Sequence, residues 1–344
     1  MYPLKFKPVF QKRVWGGTRL RSLLGKAVEA GAGAIGESWE LADLPPATVG
    51  VDSAGAAPDG SFSSVITNGP AAGRTLADVW RSQNGGAQAA GADHFPLLVK
   101  FLDAGQDLSL QVHPSASYAA AHPGAHLKSE AWYVLHAEPG AKIYKGLKPT
   151  VTREVFEAGL RSGEVAPLLN ALPVRAGDCH YLPSGTIHAL GAGILAAEVQ
   201  TPSDTTFRVF DWNRLGPDGK PRKLHVAEAL ECIDFSQATA DAGGPRSHLA
   251  SVWTTVTRLV TCEHFTLERV RMVQGYEAEI PYSEAVVWIL LEGQGVIHTP
   301  GHGPTAFAKG DTLLLPAGMN GAKVKMVTDC AWIEARVGPG GRIE

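Results

Sequence analysis

The sequence has little of what marks secreted, membrane-bound or nucleic-acid-binding proteins. Only four of its 344 residues are cysteines, and none forms a Cys-x-x-Cys pair. This scarcity argues against a disulfide framework and a thiolate metal site, and predicts reduced thiols in a cytoplasmic protein. No apolar run approaches the ~20 residues of a membrane-spanning helix, and the amino terminus lacks the apolar core of a signal peptide. Charges of both signs are mixed, with a net charge of −3, so neither nucleic acid nor a membrane surface is indicated as a partner.

Turn-forming residues are abundant, with 39 glycines and 23 prolines, and they separate short apolar runs. This pattern predicts a mainly β protein with many short strands. Helical spacing is confined to a few places. A capping box at Thr75-Leu-Ala-Asp78 predicts a helix start, and apolar residues at helical intervals predict helices over 152–170 and 224–235.

Chain length and one linker-like segment predict two domains. A chain of 344 residues is long for one small module. The stretch from Ala238 to Ser247 resembles a linker, and strand patterns occur on both sides of it. We therefore expect a first domain over 1–237, enlarged by helical inserts, and a second β domain over 248–344.

An internal repeat indicates that the two domains share one β unit. Residues 176–188 (Ala-Gly-Asp-Cys-His-Tyr-Leu-Pro-Ser-Gly-Thr-Ile-His) align with residues 309–321 (Lys-Gly-Asp-Thr-Leu-Leu-Leu-Pro-Ala-Gly-Met-Asn-Gly). Each copy contains Gly-Asp, a strand, a Pro-x-Gly turn and a following strand. The first copy ends in His188, whereas the second has Gly321 at that place. A role for this histidine is therefore expected in the first domain alone.

The first copy of the repeat is similar to the second signature motif of the cupin superfamily. Its pattern is Gly-x5-Pro-x-Gly-x2-His, and it runs from Gly177 to His188. Proline fixes φ and glycine permits an unusual backbone, so together they form a tight turn. The strand that leaves this turn is placed to direct His188 into a small barrel.

Three further side chains complete a candidate metal site with His188. Gln111 and His113 are two residues apart, so on a strand they face the same side. Glu130 lies just before another strand, after an insert long enough for the chain to return. Nitrogen and oxygen donors without thiolate suit Zn²⁺ with an open position for water or substrate. Iron or manganese would accept the same donors, and Gln111 could instead hydrogen-bond a ligand.

Motifs over much of the first 235 positions resemble those of the type I mannose-6-phosphate isomerases, particularly the short bacterial form. They are Trp15-Gly-Gly, Gly36-Glu-Ser-Trp-Glu40, Phe95-Pro-Leu-Leu-Val-Lys100, Leu110-Gln-Val-His-Pro114, Lys128-Ser-Glu-Ala-Trp-Tyr133, the segment 176–190 and Glu198-x5-Asp204-x3-Arg208-Val-Phe-Asp211. The resemblance implies a double cupin, with a catalytic zinc domain followed by a cupin-like domain without metal ligands. It implies interconversion of mannose 6-phosphate and fructose 6-phosphate. It also implies one Zn²⁺ per chain on Gln111, His113, Glu130 and His188, and an active-site arginine at Arg208.

Five residues are candidates for the chemistry around the metal. Arg208 is always cationic and would stabilise an enediolate. Glu198 would act as the base if burial raises its pKa, or would orient Arg208 or a metal-bound water. Lys100 ends an apolar strand, an unfavourable place for a charge without a task; it would bind phosphate, with Ser109, or transfer a proton. Trp39 is expected in the substrate pocket or in the core.

Two other functions fit a metal cupin. One is another enzyme class, such as an iron dioxygenase, and the other is a non-enzymatic sugar-binding or regulatory protein. The sequence has no helix-turn-helix pattern and no basic patch, and its ligand set is complete, which argues against regulation. No sequence feature specifies an oligomeric state.

Overall fold

The computed structural model describes residues 1–29, 31–46, 48–49, 54–83, 94–216, 219–236 and 246–338. The strands of its first half are β1 (Leu4–Lys5), β2 (Val9–Gly17), β3 (Ile35–Leu41), β4 (Asp43–Leu44), β5 (Phe62–Ser63), β6 (Leu98–Ala104), β7 (Leu110–Val112), β8 (Glu130–Ala137), β9 (Lys142–Leu147), β10 (Leu169–Pro173), β11 (Cys179–Leu182), β12 (His188–Leu190), β13 (Ile194–Gln200) and β14 (Phe207–Phe210). Those of the second half are β15 (Arg246–Ser251), β16 (Thr254–Thr261), β17 (Phe265–Met272), β18 (Glu277–Glu279), β19 (Val286–Glu292), β20 (Gln294–His298), β21 (Thr305–Ala308), β22 (Thr312–Leu315), β23 (Lys323–Met326) and β24 (Cys330–Val337). The α-helices are α1 (Arg19–Leu24), α2 (Leu76–Gln83), α3 (Ala116–Ala121), α4 (Arg153–Ser162) and α5 (Val226–Cys232).

Each half of the chain consists mainly of two antiparallel sheets. In the first half a six-stranded sheet, β11-β8-β13-β6-β2-β3, accompanies a five-stranded sheet, β10-β9-β12-β7-β14. In the second half a seven-stranded sheet, β1-β22-β19-β24-β17-β16-β15, accompanies a four-stranded sheet, β18-β23-β20-β21. This is the mainly β, double-cupin architecture with a few inserted helices that was predicted, built as paired sheets of the jelly-roll kind.

The internal repeat is confirmed in three dimensions. In both copies the first strand lies in the larger sheet of its half, and the chain then crosses to the smaller sheet, from β11 to β12 and from β22 to β23. The glycines of the two Pro-x-Gly turns, Gly185 and Gly318, have φ values of 84° and 78°. Such positive values are available to glycine at little steric cost, so the same turn chemistry serves both halves.

The larger sheets of the two halves share one apolar layer. Phe101, Tyr133 and Val199 of the first half belong to the same buried cluster as Leu267 and Ile333 of the second. The amino-terminal strand β1 pairs with β22, so it extends the sheet of the second half. The division into domains at 1–237 and 248–344 stays a prediction. Residues 238–245 of the expected linker, 238–247, lie outside the described residues.

The helices agree with the sequence patterns in two places and differ in one. The capping box is present, because Thr75 and Asp78 each accept a hydrogen bond from the other's backbone N–H. Helix α5 lies within 224–235. The predicted helix over 152–170 is too long, because Gly163 ends α4 with φ 79° and strand β10 begins at Leu169. Glycine in this left-handed conformation is a common helix stop.

Two features bear on the opening predictions. All four cysteines are free, as expected from their spacing. Within the described ranges, no helix combines the length and apolar character needed to cross a membrane.

Candidate metal centre and active site

Alternation along β7 turns the predicted ligands of that strand inward. Leu110 and Val112 pack in the apolar cluster that covers the outer face of the five-stranded sheet. Gln111 and the following His113 therefore point to the opposite, inner face. On the neighbouring strand, His188 lies directly opposite Gln111, so it shares that face.

Alternation along β8 supplies the acidic ligand from the other sheet. Ala131 and Tyr133 pack in the layer between the two halves. Glu130 and Trp132 consequently face the interior, where Trp132 lies edge-on to the His188 ring at 5.3 Å. Two sheets thus contribute to one enclosed centre.

The Pro-x-Gly turn holds the two histidine strands in register. The Gly185 N–H donates to the His113 carbonyl at 3.1 Å, and the Asp234 N–H donates to the Gly185 carbonyl at 2.9 Å. A Cβ at Gly185 would lie 3.0 Å from the Cys232 carbonyl oxygen. The turn therefore requires glycine for its positive φ and for this close approach.

His113, Glu130 and His188 form a buried cluster whose ligand atoms lie within 4.8 Å of one another. The two Glu130 carboxylate oxygens are 3.3 Å from His113 Nε2 and 3.1 Å from His188 Nε2. These side chains are at most 1% exposed. In the part of the chain that the structure describes, this is the one such group of three or more His, Cys, Asp or Glu residues.

The hydrogen bonds of the histidines fit a metal ion at this cluster. His188 Nδ1 is 2.8 Å from the Thr186 carbonyl oxygen, and His113 Nδ1 is 3.2 Å from that of Thr205. Because a carbonyl only accepts, each ring carries its proton on Nδ1 and directs the Nε2 lone pair at Glu130. His113 Nε2 and the two Glu130 oxygens are buried and make no hydrogen bond to the described residues, although Glu130 Oε2 forms an ion pair with Lys128 Nζ at 3.0 Å. Buried acceptors facing one another are unfavourable unless a cation lies between them.

The protonation states also suit metal binding. Burial, with the Lys128 charge nearby, lowers the pKa of His113 to about 3. Burial would raise the pKa of Glu130, but Lys128 and His113 lower it well below its ordinary value. A neutral imidazole and an ionised carboxylate are the forms that bind metals.

Gln111 lies next to this cluster, with its Nε2 3.3 Å from His188 Nε2. It is thus placed either to complete the ligand set or to hydrogen-bond a ligand. Its membership of the ligand set stays a prediction.

Lys128 is a site residue to which sequence reasoning gave no role. Its Nζ lies 3.0 Å from Glu130 Oε2, and its side chain is 4% exposed. The signal was present in the Lys128-Ser-Glu130 motif, because residues two apart in extended chain share a face. The centre therefore contains a fixed cation beside its acidic ligand.

Glu198 lies on β13 beside the metal centre. Its Oε2 accepts a hydrogen bond from Trp132 Nε1 at 3.0 Å, and its Oε1 is buried without a hydrogen-bond partner among the described residues. Burial, followed by the charge of Glu130, raises the pKa of Glu198. Its environment therefore meets the condition for a carboxyl that exchanges a proton near neutral pH.

Lys100 is surrounded by three carboxylates. Its Nζ lies 3.2 Å from Asp204, 3.7 Å from Glu198 and 3.8 Å from Glu37. Burial alone would lower the pKa of Lys100, but these acids raise it above the ordinary lysine value. A lysine that stays protonated is a poor base, and its charge is already balanced. These surroundings favour a role in orienting Glu198.

Arg208 lies on β14 directly opposite Gln111. Cross-strand neighbours share a face, so Arg208 borders the same interior as the metal ligands. Its Nη1 donates to the Lys223 carbonyl at 2.8 Å, and its Nε is buried without a hydrogen-bond partner in the described part of the chain. Burial, with Arg222 nearby, lowers the pKa of Arg208. The guanidinium thus retains donors for a further group.

Ser109 and Trp39 are both buried. Ser109 precedes β7 and is 4% exposed. Trp39 is fully buried, donates from Nε1 to Glu37 at 2.8 Å and lies 4.9 Å from Lys100 Nζ. Trp39 therefore supports the charged residues around Lys100. The roles of both residues in substrate binding stay predictions.

Comparison with known proteins identifies the family of the chain. Residues 3–145 match the family model for the phosphomannose isomerase type I catalytic domain. The chain is 35% identical over 330 residues to mannose-6-phosphate isomerase ManA of Bacillus subtilis, covering 95% of this chain and 97% of the relative. It is 34% identical over 316 residues to the mannose-6-phosphate isomerase of Streptococcus mutans, covering 91% and 92%.

A solved structure agrees over almost the whole length. The crystal structure of the mannose 6-phosphate isomerase from Bacillus subtilis superimposes with a TM-score of 0.83 at 30% identity, covering 98% of this chain and 100% of that one. Sequence identity, coverage and fold therefore agree, and the chain belongs to the type I phosphomannose isomerase family.

Proposed function

We propose that this protein is a zinc-dependent aldose–ketose isomerase that interconverts mannose 6-phosphate and fructose 6-phosphate. The observation that carries the proposal is the buried His113–Glu130–His188 cluster, whose unpartnered acceptors converge in a chain of this family. The relatives from Bacillus subtilis and Streptococcus mutans are named for this activity.

The reaction moves a proton between C1 and C2 of the open-chain sugar through an enediolate. His113, Glu130 and His188 would hold the zinc ion, with Gln111 as a fourth donor. When bound, the ion supplies Lewis acidity that polarises the substrate carbonyl. Nitrogen and oxygen donors without thiolate are typical of catalytic zinc sites.

Glu198 is the residue we assign to proton transfer. Trp132 fixes the carboxyl through Oε2. Oε1, which makes no hydrogen bond to the described residues and lies 3.7 Å from Lys100 Nζ, is the oxygen that would accept the proton. Its raised pKa brings the carboxyl closer to neutral pH, where a base works most efficiently.

Arg208 and Lys128 supply positive charge around the substrate. Arg208 borders the interior opposite Gln111, and Lys128 lies beside Glu130. Fixed cations in a buried site stabilise negative charge that develops in the transition state. Arg208 would meet the enediolate oxygens with two N–H groups in one plane.

A dioxygenase or a sugar-binding protein is not favoured. The relatives described above align with more than nine-tenths of this chain, and both are named as isomerases. Oxygen uptake by the metal-loaded protein would reveal a dioxygenase directly.

The function is tested by a coupled assay with mannose 6-phosphate as substrate, in which the formation of fructose 6-phosphate is followed by a colour change. We expect turnover that a chelator abolishes and zinc restores, and elemental analysis near one zinc per chain. His113→Ala and His188→Ala should lose both metal and activity. His298→Ala, which changes an exposed histidine of the second half, is the matched control and should keep both.

Two results would contradict the assignment. Full turnover in metal-free protein would remove the metal from the mechanism, and either variant with normal zinc content and rate would move the site elsewhere. Activity restored by iron or manganese but not by zinc would overturn the choice of metal alone.

A further inference from the structure

A second cavity lies outside the metal centre, between the larger sheets of the two halves. Its volume is about 290 Å³, near the lower end of the ~300–1,000 Å³ typical of small-molecule sites. Tyr133 and Leu135 of β8 form one wall, and Arg269 and Arg271 of β17 form the opposite wall. The cavity opens where the apolar layer between the halves reaches the surface.

The cavity concentrates positive charge in a chain whose net charge is −3. Arg269, Arg271 and Lys309 line it together with His136, and among the described lining residues Glu292 is the one acid. The Glu292 carboxylate lies 3.8 Å from Arg271, where both side chains are more than half exposed. Arg269 and Lys309 are left for another anion.

Arg269 is held in a way that suits a ligand. It lies opposite Ile333 of β24, so it projects from the face that packs against the first half. Its Nε is buried and makes no hydrogen bond to any residue that the structure describes. A buried, unpartnered guanidinium nitrogen is unfavourable, and an anion with several acceptor oxygens removes that penalty.

We propose that this cavity binds a small phosphate ester. Arg269 and Lys309 supply two positive charges for the phosphate, and Arg271, two residues from Arg269 on the same strand, adds a third charge that Glu292 partly balances. Leu23, Leu195 and Leu291 line the same cavity and provide an apolar surface for the carbon part.

Binding here would connect the two halves of the molecule. His136 belongs to the first half, whereas the arginines and Lys309 belong to the second. Strand β8 carries Tyr133 to this cavity and Glu130 to the metal centre. A bound ester would therefore stabilise the contact between the halves, and it contacts the strand that holds a metal ligand.

The test is calorimetric titration of the full-length, zinc-loaded protein with glycerol 3-phosphate and, separately, with inorganic phosphate. We expect Arg269→Gln to weaken the binding of glycerol 3-phosphate to the cavity at least tenfold, while kcat for the isomerase reaction is unchanged. Arg269→Lys should recover part of the affinity. Lys309→Gln, on an exposed turn, is a second variant that leaves the core intact. Lys323→Gln is the matched control, since Lys323 is an exposed lysine of the same half outside the cavity.

Arg208→Gln separates the cavity from the metal centre, because it removes a positive charge from the centre and leaves the residues that line the cavity unchanged. We expect glycerol 3-phosphate still to raise the melting temperature of this variant, and to lose that effect when Arg269→Gln is added. Glycerol 3-phosphate should bind more tightly than inorganic phosphate, because its carbon part would contact the leucines of the cavity. Equal affinity of wild type and Arg269→Gln for both ligands, or no saturable binding to Arg208→Gln, would overturn the proposal.

Discussion

Behind the metal centre, charged side chains alternate in sign along a buried row. Arg13 Nε lies 2.6 Å from Glu37, whose other oxygen is 3.8 Å from Lys100. Lys100 in turn is 3.7 Å from Glu198. Each charge fixes its neighbour, so Glu37 acts on Glu198 through Lys100 and is a positioning residue.

Glu37→Gln should remove a pH dependence of stability that the wild type shows in a defined window. Burial would raise the pKa of Glu37, but Arg13 and Lys100 lower it from 4.5 to about 2. A depressed folded-state pKa stabilises the fold above the unfolded pKa, and that stability is lost as the pH falls through the folded value. We expect the variant to be up to about 3 kcal/mol less stable at pH 7, with the difference shrinking between pH 4.5 and 2.

Urea denaturation of both proteins at several pH values measures this difference. Glu154→Gln, which changes a fully exposed acid on α4, should show little effect and serves as the control. A gap between wild type and Glu37→Gln that is the same at pH 7 and pH 3 would contradict the argument.

Arg208→Lys should lower kcat with zinc content and fold retained. Lysine keeps the charge but cannot present two N–H groups in one plane. The loss of one preorganised contact is on the order of 10²–10³ in rate. If Arg208 binds only phosphate, KM changes instead, because that group is held equally in ground and transition states. Steady-state kinetics with mannose 6-phosphate separates these roles, and near-normal kcat and kcat/KM would show that Arg208 is scaffolding.

At the scale of elements, the sequence predicted secondary structure best where it depends on local features, namely the alternation of side chains along a strand and the residue types of a turn. The two-residue spacing of Gln111 and His113 placed both on one face, and the repeat predicted the two equivalent turns. The end of α4 was missed because apolar spacing continued past Gly163, where the backbone leaves the helix. The carboxylates around Lys100 come from segments far apart in sequence, and the pairing of distant strands within a sheet is not encoded in any local pattern.

No local sequence pattern predicts the pairing of β1 with β22. Its contribution to stability can be tested by substitution of Leu4. Leu4 is 3% exposed and lies opposite Leu314. Leu4→Ala should cost about 2–5 kcal/mol of stability through lost burial and a cavity. Because Leu4 lies in the other half's sheet, kcat below the melting temperature should be unchanged. Thermal and urea unfolding measure this, with Lys7→Ala at an exposed position as control; equal stability of the two variants would show that β1 is dispensable.

At the scale of the molecule, the two halves depend on one apolar layer. Phe101, Tyr133 and Val199 would lose their partners if the second half were removed. An exposed apolar surface of that extent promotes aggregation. In the second half, Trp288 and Trp332 pack together inside an apolar cluster. The interior of this half is therefore filled by apolar side chains.

Isolated 1–240 should therefore fold poorly, whereas the full chain carrying Asn320→Ala should keep full activity. Size-exclusion chromatography and circular dichroism of the fragment, with zinc analysis of both proteins, provide the measurement. A soluble, folded fragment that binds zinc would show that the first half is independent. Zinc bound at residues 310–321 would give the second half a metal site of its own.

The partnership of β1 with β22 also has a consequence during translation. A ribosome produces Leu4 first, but its partner Leu314 emerges only when nearly the whole chain has been made. Until then, the earliest strand and the apolar face above Phe101 have no native surface to cover them. Contacts between such distant residues are slow to form, and aggregation-prone apolar surface stays exposed until they have formed. The nascent protein is thus expected to need chaperone protection until its last strands leave the exit tunnel.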